Sequence, residues 1–424
     1  MNISLSISEL KMLKILLISL AILLANCGND EQPQTETNSQ NNSIIDNLTP
    51  ALDNSFDSAV RNIMLAYLNQ IKIDYDNLSV GLVEFREQVE AFLEEPQSIA
   101  MDRMRDSWLS AHSSYELTSL HRYFFDLILP EPESLILHQL HYQMDHWPIL
   151  PGYMDYVRGY NNSGIVNDIN VTLDIASLEE QHGAFDISEA TLGFHVLEFL
   201  IWGENKDRRS ERPPSDYVLV HKLNADNIEN GISLEQLSSN RRRQILSLTV
   251  RSLNTKFSSS QVIRSEGSES LKLRLNDIRS TELVILLIDS INNMLNEEIL
   301  LKTLYPLLNG NYEDSIQAAY SHSSPSAVSA QLSSVEQLLL ELTDSDGERL
   351  ATIFAHLSQD FEEFFFQNFD SSKRCLALLY STLGIPEELT VNSEKEFEIV
   401  ECINLVANMV DYLQQVKISL SESN

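Results

Sequence analysis

Glycine and proline are scarce in this chain of 424 residues. It contains 13 glycines and 12 prolines, about 3% each, against a usual share of about 7% and 5%. Because these two residues dominate turns, their scarcity predicts few turns and long helices rather than many short strands. No extended alternation of polar and apolar residues competes with that prediction.

Basic residues are also few. The 29 lysines and arginines face 62 aspartates and glutamates, which gives a formal net charge of −33. Such an excess of acid argues against a nucleic-acid partner, because phosphate binding needs a basic surface. Hydrophobic residues make up 43% of the chain, which is enough for sizeable cores and excludes a disordered acidic tail.

Several common catalytic motifs are missing. The chain has no His-Glu-x-x-His helix, no glycine-rich phosphate loop and no Cys-x-x-Cys pair. Glu-x-x-His occurs once, at Glu179 and His182, whereas a ferritin-like di-iron bundle needs it twice.

The first 27 residues have the pattern of an export signal. Lys11 and Lys14 precede an apolar run over residues 15–25, which is too short for a comfortable membrane span. The run ends at Cys27 and resembles the lipobox of bacterial lipoproteins, with an uncleaved anchor or an ordinary signal as alternatives. We therefore predict a signal peptide over 1–26, lipidation of Cys27 and a polar tether over 27–50. Gly28 follows the cysteine, which favours an outer-membrane lipoprotein facing the periplasm.

The two remaining cysteines lie near the C-terminus. Cys375 and Cys402 would sit in an oxidising compartment after export. The sequence leaves open whether they form a disulfide or remain free thiols.

Apolar residues recur at steps of three and four through most of the chain, which is the spacing of a buried helix face. The predicted helices cover 60–71, 78–92, 104–123, 188–202, 242–253, 283–295, 335–342, 350–366 and 396–416.

Two groups of residues are candidates for metal chemistry. His195 and Glu198 lie three apart in an otherwise apolar helix, so both side chains share one face and could hold one cation. Gly193 in the same helix suggests a close approach of another backbone. The alternative for His195 and Glu198 is a structural hydrogen-bonded pair. The second group consists of four residues near one another in the chain, His138, His141, Asp145 and His146. Its alternative is a hydrated surface helix.

The segment around His195 resembles the Gly-x-His-x-x-Glu signature of the imelysin family, including the Trp-Gly ending at Trp202. Trp108 through Tyr123 is similar to the family's Trp…Tyr…Arg-aromatic helix, and Trp147-Pro148 with Asp155-Tyr156 is similar to its Trp-Pro…Asp-Tyr segment. The resemblance covers about residues 55–255. Ser119 stands where the family usually has Glu, which argues against a carboxylate from that helix.

The resemblance implies an all-α fold of two helical-bundle halves, over 51–225 and 226–424. It further implies a membrane-anchored periplasmic metal-binding protein in iron uptake, with His195 and Glu198 as ligands of a divalent or ferric ion, iron or zinc. Arg122, Trp147 and Asp155 would be supporting or substrate contacts. Its partners would be the membrane, through lipidated Cys27, the metal ion and other iron-uptake proteins.

Two other functions stay open at this point. In a metal-dependent peptidase, the ion would activate water and a carboxylate would act as general base, but the sequence offers only one sure histidine ligand where three protein ligands are usual. In a non-catalytic helical interaction module, His195 and Glu198 would only order the bundle.

Overall fold

The protein is described by a computed structural model that covers residues 54–205, 211–308, 316–343, 347, 349–358, 360–382 and 393–422. The predicted signal peptide, Cys27 and the tether lie outside these residues. All described residues belong to one compact unit, Ile44–Asn424. The boundary between two halves at residue 225 stays a prediction.

The first part of the chain is a series of helices with one long irregular stretch. The helices are α1 (Asn54–Glu94), α2 (Ser98–Leu117), α3 (Ser119–Ile128), α4 (Glu133–Asp145), α5 (Pro151–Met154), α6 (Ile175–Gln181), α7 (Phe194–Trp202), α8 (Ala225–Glu229) and α9 (Ser238–Arg274), with short 3-10 turns at Pro214–Tyr217 and Leu234–Gln236.

The remaining helices follow with three π-helical segments. They are α10 (Ser280–Met294), α11 (Tyr305–Leu308), α12 (Ser324–Glu336), α13 (Leu350–Leu357), α14 (Gln367–Thr382) and α15 (Ser393–Glu422), and the π-helical segments are Leu295–Leu304, Gln337–Glu341 and Glu362–Phe366. In the described part of the chain β-structure is limited to two isolated bridges, so the all-α prediction is confirmed. None of the described helices is both long and apolar enough to cross a membrane.

Helix α7 carries the signature residues His195 and Glu198 and is buried along its whole length. All nine of its residues are buried, and it packs against α2, α4 and α9. The predicted start near Ser188 is wrong, because the helix begins only at Phe194. Gly193 precedes it with φ +99°, a conformation that glycine adopts readily and other residues rarely do.

The predicted helix over 104–123 is divided in the structure. Helix α2 ends at Leu117 and α3 begins at Ser119, with Thr118 as the junction. Its hydroxyl donates to the Tyr115 carbonyl oxygen at 2.7 Å, a local bond that satisfies a carbonyl at the end of α2. The division lets α2 pack on α12 and α3 pack on α10.

Cys375 in α14 and Cys402 in α15 form a disulfide with their Cα atoms 5.6 Å apart. The sequence left this pairing open. The bridge ties α15 to α14, and the loop that it closes constrains the unfolded chain.

Candidate metal centre

Three ligand atoms from three different helices converge in the interior. They belong to His112 in α2, Asp145 at the end of α4 and His195 in α7, and all lie within 4.8 Å of one another. The Nε2 atoms of His195 and His112 lie 3.4 Å and 3.8 Å from Asp145 Oδ1. Two ligands of a tetrahedral ion are roughly 3.4 Å apart when each is about 2.1 Å from the metal, so these spacings suit one ion. We call His112, Asp145 and His195 the metal cluster.

The three converging atoms have no hydrogen-bond partners in the described part of the chain. His112 Nε2, His195 Nε2 and Asp145 Oδ1 are all buried, and none of them makes a hydrogen bond; their polar neighbours are one another and, for His112 Nε2, Glu116 Oε1. Buried polar atoms nearly always have a hydrogen-bond partner, so three such atoms around one point form a candidate site for an ion. Two imidazole nitrogens and a carboxylate oxygen are donors that iron and zinc both accept.

Glu198 holds His195 from the opposite side of the ring. Its Oε2 lies 3.1 Å from His195 Nδ1, and its Oε1 accepts from the backbone N–H and the hydroxyl of Ser321, both at 2.7 Å. A carboxylate on one ring nitrogen fixes the tautomer that leaves the other nitrogen for a metal. In this arrangement Glu198 acts through His195, and its prediction as a direct ligand stays a prediction.

The carboxylates around His195 raise its pKa. Burial alone lowers the pKa of His195, but the close contacts with Asp145 and Glu198 and the charges of these two carboxylates outweigh burial and raise the pKa to about 9. The two histidines lower the pKa of Asp145 despite its burial. Without a metal the centre therefore holds a proton on His195 near neutral pH, which a cation would displace.

A third acidic residue stands beside the cluster. Glu116, fully buried, lies with Oε1 3.5 Å from His112 Nε2, and burial followed by the charge of Asp145 raises its pKa. Gln331 Nε2 and the Ser119 hydroxyl donate to its Oε2 at 2.7 Å and 3.2 Å. Because Ser119 replaces the usual Glu of the family, the sequence predicted no carboxylate from this helix. The carboxylate of Glu116, one turn earlier, nevertheless lies beside the metal cluster, and the Ser119 hydroxyl donates a hydrogen bond to it.

A cavity of about 430 Å³ opens beside the metal cluster, with Asp145 in its wall. The four members of the second predicted group, His138, His141, Asp145 and His146, all line this cavity, although His138 is exposed and α4 buries only Leu137 and Met144, as a surface helix would. Only Asp145 joins the metal cluster. The π-helical segment that follows α10 adds Glu298 and Lys302 to the wall, consistent with the frequent use of such segments at functional sites.

Two of the three predicted supporting residues lie at this cavity. The Trp147 ring centre is 4.8 Å from that of His195, and Arg122 stacks over the Tyr115 ring at 4.5 Å. Arg122 Nη2 is 3.6 Å from Glu116 Oε2.

Asp155, the third, lies in a separate buried ion cluster. Its carboxylate accepts from Arg242 Nη2 at 2.9 Å and pairs with Arg212 Nη1 at 2.8 Å. Asp155 is not among the residues that line the cavity.

The single Glu-x-x-His pair serves the structure. His182 Nδ1 accepts the backbone N–H groups of Thr191 and Leu192 at 3.1 Å and 3.3 Å, which holds the segment that leads into α7. Burial lowers the pKa of His182 to about 4, so it is the neutral acceptor that this role requires. Glu179 pairs with Lys256 at 2.6 Å.

His112 is the metal-cluster residue that sequence reasoning missed. It follows Trp108 by four residues, stacks on that ring at 4.6 Å, and so continues a stripe typical of a helix core. The signal that could have found it is the pair His112 and Glu116, four apart and therefore on one helix face.

Comparisons with known proteins agree with this architecture. Residues 73–371 match the family model of the imelysins, peptidase family M75. A solved structure described as an iron-regulated protein A precursor from Parabacteroides distasonis has a TM-score of 0.56 at 11% sequence identity, and the match covers 85% of this chain and 95% of that one. No curated protein matches the chain. The family match spans well over half of the sequence and includes the signature helix, so this chain belongs to the imelysin family.

Proposed function

We propose that this protein binds one metal ion on His112, Asp145 and His195 and serves iron acquisition at the cell envelope. The observation that carries the proposal is the set of three buried ligand atoms without hydrogen-bond partners. Two histidines and one carboxylate with open positions are the ligand set typical of non-haem iron(II). The iron-regulated neighbour in the same fold adds support for iron as the cargo.

The envelope location is part of the same proposal. Lipidation of Cys27 would hold the protein at the outer membrane, facing the periplasm and within reach of other iron-uptake proteins. A disulfide between Cys375 and Cys402 suits an oxidising compartment. Fractionation of cells that express wild-type protein or Cys27→Ser tests the anchor, and equal membrane association of both would contradict it.

Metal titration over a range of pH tests the ion site. We expect one Fe²⁺ or Zn²⁺ per chain, by elemental analysis of the dialysed protein. Because His195 has its pKa raised to about 9, the ion must displace its proton at any lower pH. The apparent affinity should therefore rise about 100-fold from pH 6 to pH 8, and level off above pH 9. A chain that takes up no ion, or an affinity that does not change with pH, would contradict the site.

A metal-dependent peptidase is the second candidate, and one observation now favours it. The sequence offered a single sure ligand, whereas the structure brings three together and places Glu116 beside them with a raised pKa. A carboxyl group of this kind suits a general base next to a metal-bound water. Hydrolysis of a peptide library that is lost on chelation and in Glu116→Gln would favour this candidate over simple metal binding.

A further inference from the structure

The cavity is much larger than a metal ion needs. Three protein ligands leave an octahedral ion about three open positions, and each water there occupies about 30 Å³. The cavity of about 430 Å³ exceeds that requirement several-fold and has the size of a site for a small organic molecule. Its aromatic wall, which includes Tyr123 and Tyr142, suits the apolar body of such a molecule.

An unused hydrogen-bond donor stands in the cavity wall next to the metal cluster. Trp147 lines the cavity, its ring lies against His195, and its buried Nε1–H has no acceptor in the part of the chain that the structure describes. An indole N–H can only donate. An oxygen of a bound molecule, close to the ion, would satisfy it.

The charge of the wall depends on the ion. Two cations, Arg122 and Lys302, and three carboxylates, Asp126, Asp145 and Glu298, line the cavity, and Lys302 Nζ lies 2.9 Å from Glu298 Oε1. The wall therefore carries charges of both signs. A divalent or trivalent ion on the cluster adds positive charge beside it, which attracts an anion.

We propose that the cavity binds a small organic carboxylate together with the metal ion. One carboxylate oxygen accepts the Trp147 N–H and faces the ion, while Arg122 and Lys302 in the cavity wall supply positive charge. This inference rests on the proposed metal site. Because metal and carboxylate favour each other, each must raise the affinity of the other by the same factor.

Calorimetry on the full chain tests the inference. The probes are benzoate, for a free organic acid, and N-acetyl-phenylalanine, for the C-terminus of a peptide, with the amide of each as a neutral control. We expect at least one acid to bind the Zn²⁺-loaded chain about tenfold or more tightly than the metal-free chain, and its amide to bind correspondingly weakly. Tighter binding of benzoate supports a free acid as the natural ligand, and tighter binding of N-acetyl-phenylalanine supports a peptide end.

Two variants locate the carboxylate. Trp147→Phe keeps the ring but removes the donor, and Lys302→Gln removes a charge at the cavity without touching the metal cluster. Each should weaken binding of the acid about tenfold at unchanged zinc content, whereas Lys272→Gln, which removes a lysine away from the cavity, should have no effect. Equal binding of acid and amide, or wild-type affinity in both variants, would overturn the inference.

The test also separates this inference from the metal site on which it rests. A chain that takes up zinc but binds neither acid overturns the carboxylate site alone. A chain that takes up no zinc overturns both.

Discussion

Replacing His112 or His195 with alanine is expected to weaken metal binding on the order of 1,000-fold. Structural zinc sites bind with roughly 10–16 kcal/mol, so one ligand of three or four accounts for roughly 3–4 kcal/mol. Both residues contribute an unpartnered Nε2 to the cluster. Competition with a fluorescent chelator gives the affinities of wild type and variants on one scale.

The matched control is His138→Ala. His138 lines the same cavity but lies outside the metal cluster, so its loss should leave the metal affinity within about twofold of wild type. An equal loss in His138→Ala, or none in His112→Ala, would contradict the ligand set.

Glu198→Gln decides the role of the second signature residue. A group that only orients a ligand typically contributes 10–100-fold in affinity, and Glu198 reaches His195 through Nδ1. A loss as large as that in His195→Ala would instead make Glu198 a ligand, as the family signature suggested.

Asp155→Ala is expected to lower the free energy of unfolding by about 3–5 kcal/mol, the range for breaking a buried ion pair from one side. The substitution leaves Arg212 and Arg242 buried without their shared carboxylate. Because a guanidinium keeps its proton in proteins, the cost of these uncompensated charges remains. Urea denaturation of the metal-free protein measures the change.

Glu90→Ala provides the control for this measurement. Glu90 pairs with Arg251 at the surface, where both side chains are well exposed, and such a pair contributes at most about 1 kcal/mol. If Asp155→Ala leaves stability unchanged but abolishes metal or carboxylate binding, Asp155 belongs to the site, as the sequence suggested.

The helices could be predicted from the sequence because their buried faces repeat at helical spacing. The same reasoning placed the start of α7 too early, since residues 188–193 are as suitable for a helix in pattern as those that follow. The backbone N–H groups of Thr191 and Leu192 donate to His182 instead of to a helix, and Gly193 has a φ of +99°; residue type alone reveals neither.

The candidate site was only partly predictable, for a physical reason. His195 was recognisable because burying a histidine and a glutamate in an apolar helix is costly unless both have polar partners or a ligand. His112 and Asp145 lie 83 and 50 residues away along the chain, and their convergence depends on how α2 and α4 pack against α7. That packing is tertiary information which neither periodicity nor spacing contains.

Gly193 has a consequence for the geometry of the metal centre. A Cβ atom at this position would lie 2.7 Å from the carbonyl oxygen of Met144, the residue directly before Asp145. The missing side chain thus sets how closely the end of α4 can approach the start of α7, two residues before His195. The glycine of the signature therefore lets the two chain segments that supply Asp145 and His195 lie in direct backbone contact, and the distance between these two side chains depends on that contact.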